Sequence, residues 1–496
     1  MSQSVKAMTD ACSSQNVDSV VRVQLTSDGK KPYDPTTTGF AHITFYNAVL
    51  GRLIHLKPNL TTEPGLLSEA YWDFKNEYYI LRIKEGLKFH NGRSVTAEDL
   101  DFSLLRFFLT KNRADQIAFL TQIKGVESLK PGMKYKPWLV SGIKKIDGRT
   151  LAVKLANPNP AFLYSLAEGW ISLVPQEELQ DDLTSWRSVP VGAGPYRVDT
   201  VDGSTVRICS VIPQTGAPQV VEFVSDAKAR PDIVGFASAG SPELSLSKVN
   251  GAGPIGFTGI FFNSSNQLAA NPHFRRAISF AIKRKDFIQG HGDYSALTET
   301  LTSNFFGRIN TPEHFNLDAA KMELALVPHN LLKAPLKAHW FSGRSNLTPV
   351  ENQIVESLGK QLRQLGLEVS FGPSKSPTFA DSDSDTVLRI DDRGTAFPDP
   401  LVIFRAFETP AFLSPFFPKE NGKLKALLND AARASSLDVK ANAIFALSKY
   451  FDENTILIPL YERKTVYWIN EKKVADLGIQ TGITFDIERV RLAVKQ

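Results

Sequence analysis

The sequence predicts a mixed α/β protein of more than one domain. Three observations carry this. A chain of 496 residues is long enough for two or three domains with a sizeable core. The stretch from Gly51 to Pro175 is rich in short alternating segments punctuated by Gly and Pro, the texture of strands. From Pro272 onward the apolar spacing changes to a helical period, and the helix Val350–Leu365 passes through Gly366 into the strand Leu367-Glu368-Val369-Ser370, a step typical of an α/β layer.

Taken in order, residues 1–20 are polar and read as a flexible arm. Val20 to Leu25 alternates as a strand. The segment from Tyr78 to Phe108 opens with Tyr79, Leu81 and Ile83 on one strand face and Arg82 and Lys84 on the other. Asn91-Gly92 is a turn signal, because both residues accept positive φ cheaply. Thr96 then caps a helix, with Asp99 completing an approximate capping box and Phe102, Leu104, Leu105 and Phe108 forming its apolar face. Leu151–Leu155 is another strand, stopped by Asn157-Pro158-Asn159-Pro160 before a short helix from Ala161. Val198 to Val224 reads as strands with Gly and Pro breaks. Phe274, Ala277, Ile278, Ala281 and Ile282 mark an amphipathic helix. A long helix from Leu424 to Phe451 precedes the apolar strand Ile456–Leu460.

Composition narrows the function. The 57 basic and 52 acidic residues are scattered, and no basic run is dense enough to track phosphates, so nucleic-acid binding is not expected. No apolar run reaches the length of a membrane span. Residues 1–20 contain no signal-peptide h-region. No histidine belongs to HExxH or pairs with a cysteine at zinc spacing, there is no Gly-x-Ser-x-Gly elbow, and the Gly-Ala-Gly-Pro at Gly192 lacks the lysine of a phosphate loop. No catalytic residue, metal or cofactor is therefore expected. The two cysteines, Cys12 and Cys209, allow either a disulfide or two unpaired thiols.

The order strand, Gly86-Leu87-Lys88-Phe89, turn, Thr96-Ala97-Glu98-Asp99, helix resembles the signature segment of the family 5 extracellular solute-binding proteins, the binding subunits of peptide, nickel and related ABC importers. Five further blocks resemble the family in the same order: Tyr33-Asp34-Pro35, Leu66–Trp72, Gly192-Ala193-Gly194-Pro195-Tyr196, Phe261-Phe262-Asn263 with Phe274–Arg284, and Phe397-Pro398-Asp399-Pro400. The resemblance implies a two-lobed periplasmic binding protein fold (type II, cluster C-like), with an extra inserted domain and a hinge. Residues 21–50, 184–262 and 464–496 would form lobe I, 51–183 the inserted domain and 263–463 lobe II. The segment between Tyr196 and Asn263 is short for the family and lacks its Trp-Gly element. In such a fold Cys12 and Cys209 belong to one lobe.

The resemblance also implies where a ligand would lie. Peptide-binding members carry an aspartate four residues before the final proline of the late Asp-Pro element, where it pairs with the ligand ammonium; here that position is Ala396. A buried ammonium without a partner costs several kcal/mol, so an ordinary peptide is disfavoured. Arg389, Asp391, Asp392, Arg393 and Phe397 surround the position. The two arginines either meet a ligand carboxylate or phosphate or simply neutralise the two aspartates. Thr26, Ser27 and Asp28 after the first strand, Arg113 and Phe119 after the signature helix, Phe257 and Phe261 at the lobe crossover, and Trp340 at a strand end complete the candidate set, with core packing the ordinary role of each aromatic.

The expected protein is a monomeric periplasmic or cell-surface solute-binding subunit. It would capture a small peptide-like, acidic or chelate ligand by hinge closure and deliver it to an ABC permease of the inner membrane. A cytoplasmic ligand-sensing domain of the same fold and a generic oligopeptide binder are the alternatives.

Overall fold

The computed structural model describes residues 20–24, 31–33, 40–57, 61–110, 122–156, 159, 161–167, 171–203, 205–211, 214–224, 230–235, 246–251, 253, 256–332, 335–340, 347–373, 385–394, 399–405, 407, 422–479 and 485–494. The chain divides into two units, one formed by Met1–Ala252 with Val466–Gln496 and the other by Gly253–Thr465.

The first unit contributes β1 (Val20–Gln24), α1 (Phe40–Val49), β2 (Ile54–Leu56), β3 (Thr62–Pro64), β4 (Leu67–Asp73), β5 (Tyr78–Ile83), α2 (Ala97–Leu109), β6 (Ile143–Lys145), β7 (Thr150–Val153), α3 (Phe162–Ser165), β8 (Tyr196–Asp202), β9 (Thr205–Ser210), β10 (Val220–Val224), β11 (Ile233–Gly235) and β12 (Ser247–Asn250). The second contributes β13 (Gly256–Phe262), α4 (Gln267–Ala270), α5 (Pro272–Ala281), β14 (Tyr294–Ala296), α6 (Leu317–Ala325), β15 (Leu336–Trp340), α7 (Pro349–Arg363), β16 (Val369–Pro373), β17 (Thr386–Gly394), α8 (Leu401–Arg405), α9 (Gly422–Ala432), α10 (Leu437–Glu453) and β18 (Leu457–Arg463). The chain then returns to the first unit as β19 (Val466–Ile469), β20 (Val474–Asp476) and β21 (Arg491–Leu492).

In the first unit, among the described residues, the main sheet runs β12-β19-β11-β1-β10-β9-β8, and a smaller sheet runs β4-β5-β7-β6. Tyr79, Leu81 and Ile83 of β5 are buried, as their alternation requires. The capping box at α2 forms: the Thr96 backbone N–H donates to Asp99 Oδ2 at 2.8 Å. An amphipathic α2 was expected, but nearly every residue of the helix is buried. Its polar side chains therefore find internal partners. Asp101 Oδ2 accepts from the Tyr135 hydroxyl at 2.6 Å and the Trp138 N–H at 2.9 Å, and Arg106 donates to the Leu183 carbonyl at 2.9 Å.

The Gly192-Ala193-Gly194 segment closes the C-terminal end of α1. A Cβ on Gly192 would stand 2.1 Å from the Val49 carbonyl oxygen, so only glycine fits this approach. The Gly194 N–H donates to that oxygen at 3.0 Å, and His90 Nε2–H donates to the Gly194 carbonyl at 2.9 Å. Burial pulls the His90 imidazole down to about 4, leaving it neutral at physiological pH.

The C-terminal return is tied by charge. Asp486 lies 2.7 Å from Arg52 Nε and 3.3 Å from His55 Nδ1, and Arg489 bridges towards Glu63 at 3.5 Å. Cys209, on β9, is buried and disulfide-bonded. Cys12, the chain's other cysteine, lies outside the described residues.

In the second unit the sheet runs β14-β18-β13-β17-β15-β16, again among the described residues. One face packs Ile260, Ile390 and Ile458 against α5 and α7 through Phe274, Ile278 and Leu358. The other packs Phe257, Phe261 and Leu457 against α8 to α10 through Phe404, Leu447 and Phe451. The expectation for lobe II began at Asn263; β13 falls within this unit, which begins at Gly253. The helix expected over Leu424–Phe451 is two helices. Ser436 breaks it, its hydroxyl capping the Val439 N–H at 3.2 Å at the start of α10. The cap and stop of α7 follow the sequence signals: Thr348 and Glu351 form a capping box, Pro349 opens the helix and Gly366 ends it at φ +74°.

Candidate functional site

The site candidates described by the structure gather around β17. This strand lies between β13, antiparallel to it, and β15, parallel to it. Such a strand favours apolar side chains on both faces. Val387, Leu388 and Ile390 comply, yet Arg389 between them is 0% exposed. Residues two apart share a face of a strand, so Arg389, Asp391 and Arg393 form one row, on the face that carries Phe257 and Phe261. The register confirms the row's neighbours: Arg389 opposes Phe261, Asp391 opposes Gly259 and Arg393 opposes Phe257.

The row is an Arg–Asp–Arg ladder. Arg389 Nη2 lies 3.1 Å from Asp391 Oδ2, and Arg393 Nη2 lies 3.5 Å from the same oxygen. The other oxygen accepts the Asp392 N–H at 2.8 Å. The Arg393 guanidinium also sits 5.5 Å from the centre of the Phe261 ring, a cation–π distance. Phe261 stacks in turn on Phe257 at 6.5 Å and Phe407 at 6.0 Å. Gly259 leaves space opposite Asp391; a Cβ there would come within 3.1 Å of the Phe257 ring and the Ile458 carbonyl.

Burial draws both guanidinium groups down from their ordinary value, and the charge of Asp391 opposes that in each. They stay cationic at neutral pH. Asp391 meets both arginines on this face, and the charge of Asp392 also acts on Arg393. The second carboxylate, Asp392, points to the opposite face, where it accepts a hydrogen bond from the Thr258 hydroxyl. Tyr461 stands beside that pair in register, and burial together with the Asp392 charge pushes its phenol well up.

Trp340 ends β15 and opposes Ile390. Because β15 and β17 are parallel, their carboxyl ends reach the same edge of the sheet, the edge at which open α/β sheets bind ligands. Asp391, Asp392, Arg393, Phe257 and Trp340 occupy that edge, and Arg389 and Phe261 lie one step deeper. The indole Nε1–H of Trp340 is buried and donates to no atom among the described residues. Thr26, Ser27, Asp28, Arg113, Phe119, Ala396 and Phe397 lie outside the described residues.

Two contributors went unread in the sequence. Thr258 and Tyr461 carry no motif; only strand register brings them to Asp392. Asp399, of the Asp-Pro element noted in the sequence, opens a helix. Its Oδ1 caps the Leu401 N–H at 3.0 Å, and its Oδ2 accepts from the fully buried Lys440 at 2.8 Å. Burial lowers the Lys440 ammonium, against the pull of Asp399. The Asp-Pro element thereby ties the start of α8 to α10. Among the described residues no group of three His, Cys, Asp or Glu side chains is placed to hold a metal, and no helix is long and apolar enough to cross a membrane.

The chain thus has two α/β units, with charged and aromatic side chains at the carboxyl edge of the second unit's sheet. The fold is that of the periplasmic binding proteins. The ABC transporter substrate-binding protein CtaP of Listeria monocytogenes matches with a TM-score of 0.76 at 16% identity, over 95% of this chain and 99% of that one. By sequence, the oligopeptide-binding protein OppA of Bacillus subtilis is 32% identical over 101 residues, and the dipeptide-binding protein of Escherichia coli 26% identical over 211. These matches span 20% and 39% of this chain, and 18% and 37% of the respective relatives. The model of the bacterial extracellular solute-binding proteins, family 5, matches residues 61–208 and 231–412, and the chain belongs to that family.

Proposed function

We propose that this chain is the substrate-binding subunit of an ABC importer, and that it captures a small peptide-like solute carrying a carboxylate. The observation that carries the ligand class is the Arg389–Asp391–Arg393 ladder, where two guanidinium groups share one carboxylate beside the stacked rings of Phe257 and Phe261. A ligand carboxylate at this edge would meet the Arg393 guanidinium through a charge-assisted hydrogen bond. The names of the oligopeptide- and dipeptide-binding relatives support a peptide-like frame. Ala396, where peptide binders place their ammonium partner, favours a modified or acidic peptide, or a metal chelate, over a free oligopeptide. Enclosure by closure of the two lobes is part of the proposal, with the ligand stabilising the closed state through its differential contacts.

Native mass spectrometry of the gently purified protein tests it. A retained mass that leaves on denaturation and belongs to a carboxylate-bearing molecule is the expected result. Arg393→Ala should weaken binding of that molecule by at least about tenfold, the worth of one charge-assisted hydrogen bond. A retained ligand without an anionic group, or one bound equally by the variant, would refute the ligand assignment.

A further inference from the structure

A pocket lies in the same unit, away from this edge. It has a volume of about 270 Å³ and is bordered by α5, the end of α10 and the first residues of β18. Leu457–Pro459 line it, whereas the site above takes Thr258 and Tyr461 near the other end of β18. At 3.3 Å per residue, two to four residues of strand already place the two regions at different ends of the sheet.

The pocket is lined by charges of both signs, Arg276 and Arg284 with Asp452 and Glu453. Arg284 is 1% exposed, and its Nε donates to the Pro459 carbonyl at 2.8 Å. Its Nη1 is buried and meets no hydrogen-bond partner among the described residues. A guanidinium nitrogen in that state carries a desolvation cost that an anionic oxygen would offset. His314 stands nearby, held edge-on to Phe280 at 5.3 Å. Asp452 lines the pocket from the last turn of α10, with Glu453 beside it. The C-terminal carbonyls of a helix add partial negative charge there. Burial pushes the Asp452 carboxyl up, and the charges of His314 and Arg284 oppose this. Ser279 and Thr311 add hydroxyl groups to the lining. A simple anion would meet Asp452 and a simple cation would meet Arg284. A molecule with both charges satisfies both. The volume is just below that of pockets for drug-sized ligands, which begin near about 300 Å³.

We propose that this pocket is a second ligand site, taking an amino-acid-sized zwitterion with its carboxylate on Arg284 Nη1 and its ammonium on Asp452.

The test uses the full chain and L-alanine as the probe, with acetate and methylammonium as half-ligands. The site-specific readout is the imidazole NMR signal of His314, assigned by its loss in His314→Gln. L-alanine should shift that signal saturably, with a Kd of about 1 mM or tighter, and each half-ligand should bind at least about tenfold more weakly. Asp452→Asn should weaken L-alanine by a similar factor while leaving the melting temperature near that of the parent. Ser279→Leu, which fills the pocket from α5, gives a second variant that should abolish the shift. No shift at saturating L-alanine, equal shifts by acetate, or an unchanged Kd in Asp452→Asn would each overturn the proposal. Because none of these readings involves the β17 ladder, failure here leaves the proposed solute site untouched.

Discussion

Glu488 offers a sharp test of how charge is arranged in the first unit. It lies in the short 3-10 turn Ile487–Arg489, beside Asp486. Burial, then the negative charge of Asp486, pushes its carboxyl from 4.5 to about 8, and its Oε2 accepts no hydrogen bond among the described residues. Asp486 goes the other way: burial would raise it, but the Arg52 charge and hydrogen bonds from His55 and Arg52 hold it well below the usual carboxylate range. The folded state therefore keeps a proton on Glu488 that the unfolded chain releases near pH 4.5. Its contribution is fully present below about pH 4.5 and is lost as pH rises towards about 8. At about 1.4 kcal/mol per pH unit, that interval sets a ceiling of about 5 kcal/mol. The side chain retains partial solvent contact, so screening brings the expectation nearer to about 2 kcal/mol. Glu488→Gln imitates the protonated form at every pH. Urea unfolding of both proteins from pH 3.5 to 9 should give curves that coincide at the acid end and separate as the pH rises above about 4.5, with the variant more stable by about 2 kcal/mol at pH 9. A difference that does not change with pH, or a variant less stable at pH 9, would refute the reasoning.

Four further outcomes are expected. Asp391→Asn removes the carboxylate 3.1 Å from the buried Arg389 and should destabilise the fold by up to about 3–5 kcal/mol in urea unfolding. Gly192→Ala drives a methyl into the Val49 carbonyl and should destabilise by several kcal/mol, whereas Gly92→Ala, with φ +90° and nothing within 4 Å, should cost only about 1 kcal/mol in the same assay. Cys209 is expected to be joined to Cys12, which non-reducing peptide mapping would reveal as one cross-linked pair; a loop of that length is worth about 5 kcal/mol at most in the chain-entropy model, so reduction should lower the melting temperature. Ala396→Asp should gain affinity for free tripeptides in calorimetry if the missing ammonium partner is what disfavours them; no gain would sink that explanation.

Much of the architecture was open to reading because its causes are local. The strand at Tyr78, the capping boxes at Thr96 and Thr348, and the stop at Gly366 depend on neighbours within four residues, and the structure places each where those neighbours require. The ordered blocks that resemble family 5 added the global arrangement. The burial of α2 on nearly all sides was not legible, since the groups that satisfy Asp101 and Arg106 arrive from Tyr135, Trp138 and Leu183, far along the chain. The break at Ser436 was missed, although the Ser435-Ser436 pair interrupts the apolar period there and Ser436 caps the next helix.

The site divides in the same way. Residue identity alone put Arg389, Asp391, Asp392 and Arg393 in one segment and made alternate faces inevitable, since a strand has period two. What faces each carboxylate across the sheet depended on the partner strand. Gly259 stands opposite Asp391, where a Cβ would meet the Phe257 ring and the Ile458 carbonyl, and the Thr258 hydroxyl meets Asp392 on the other face. Register across 130 residues of chain is a property of how sheets and helices bury their faces together, and no local pattern encodes it.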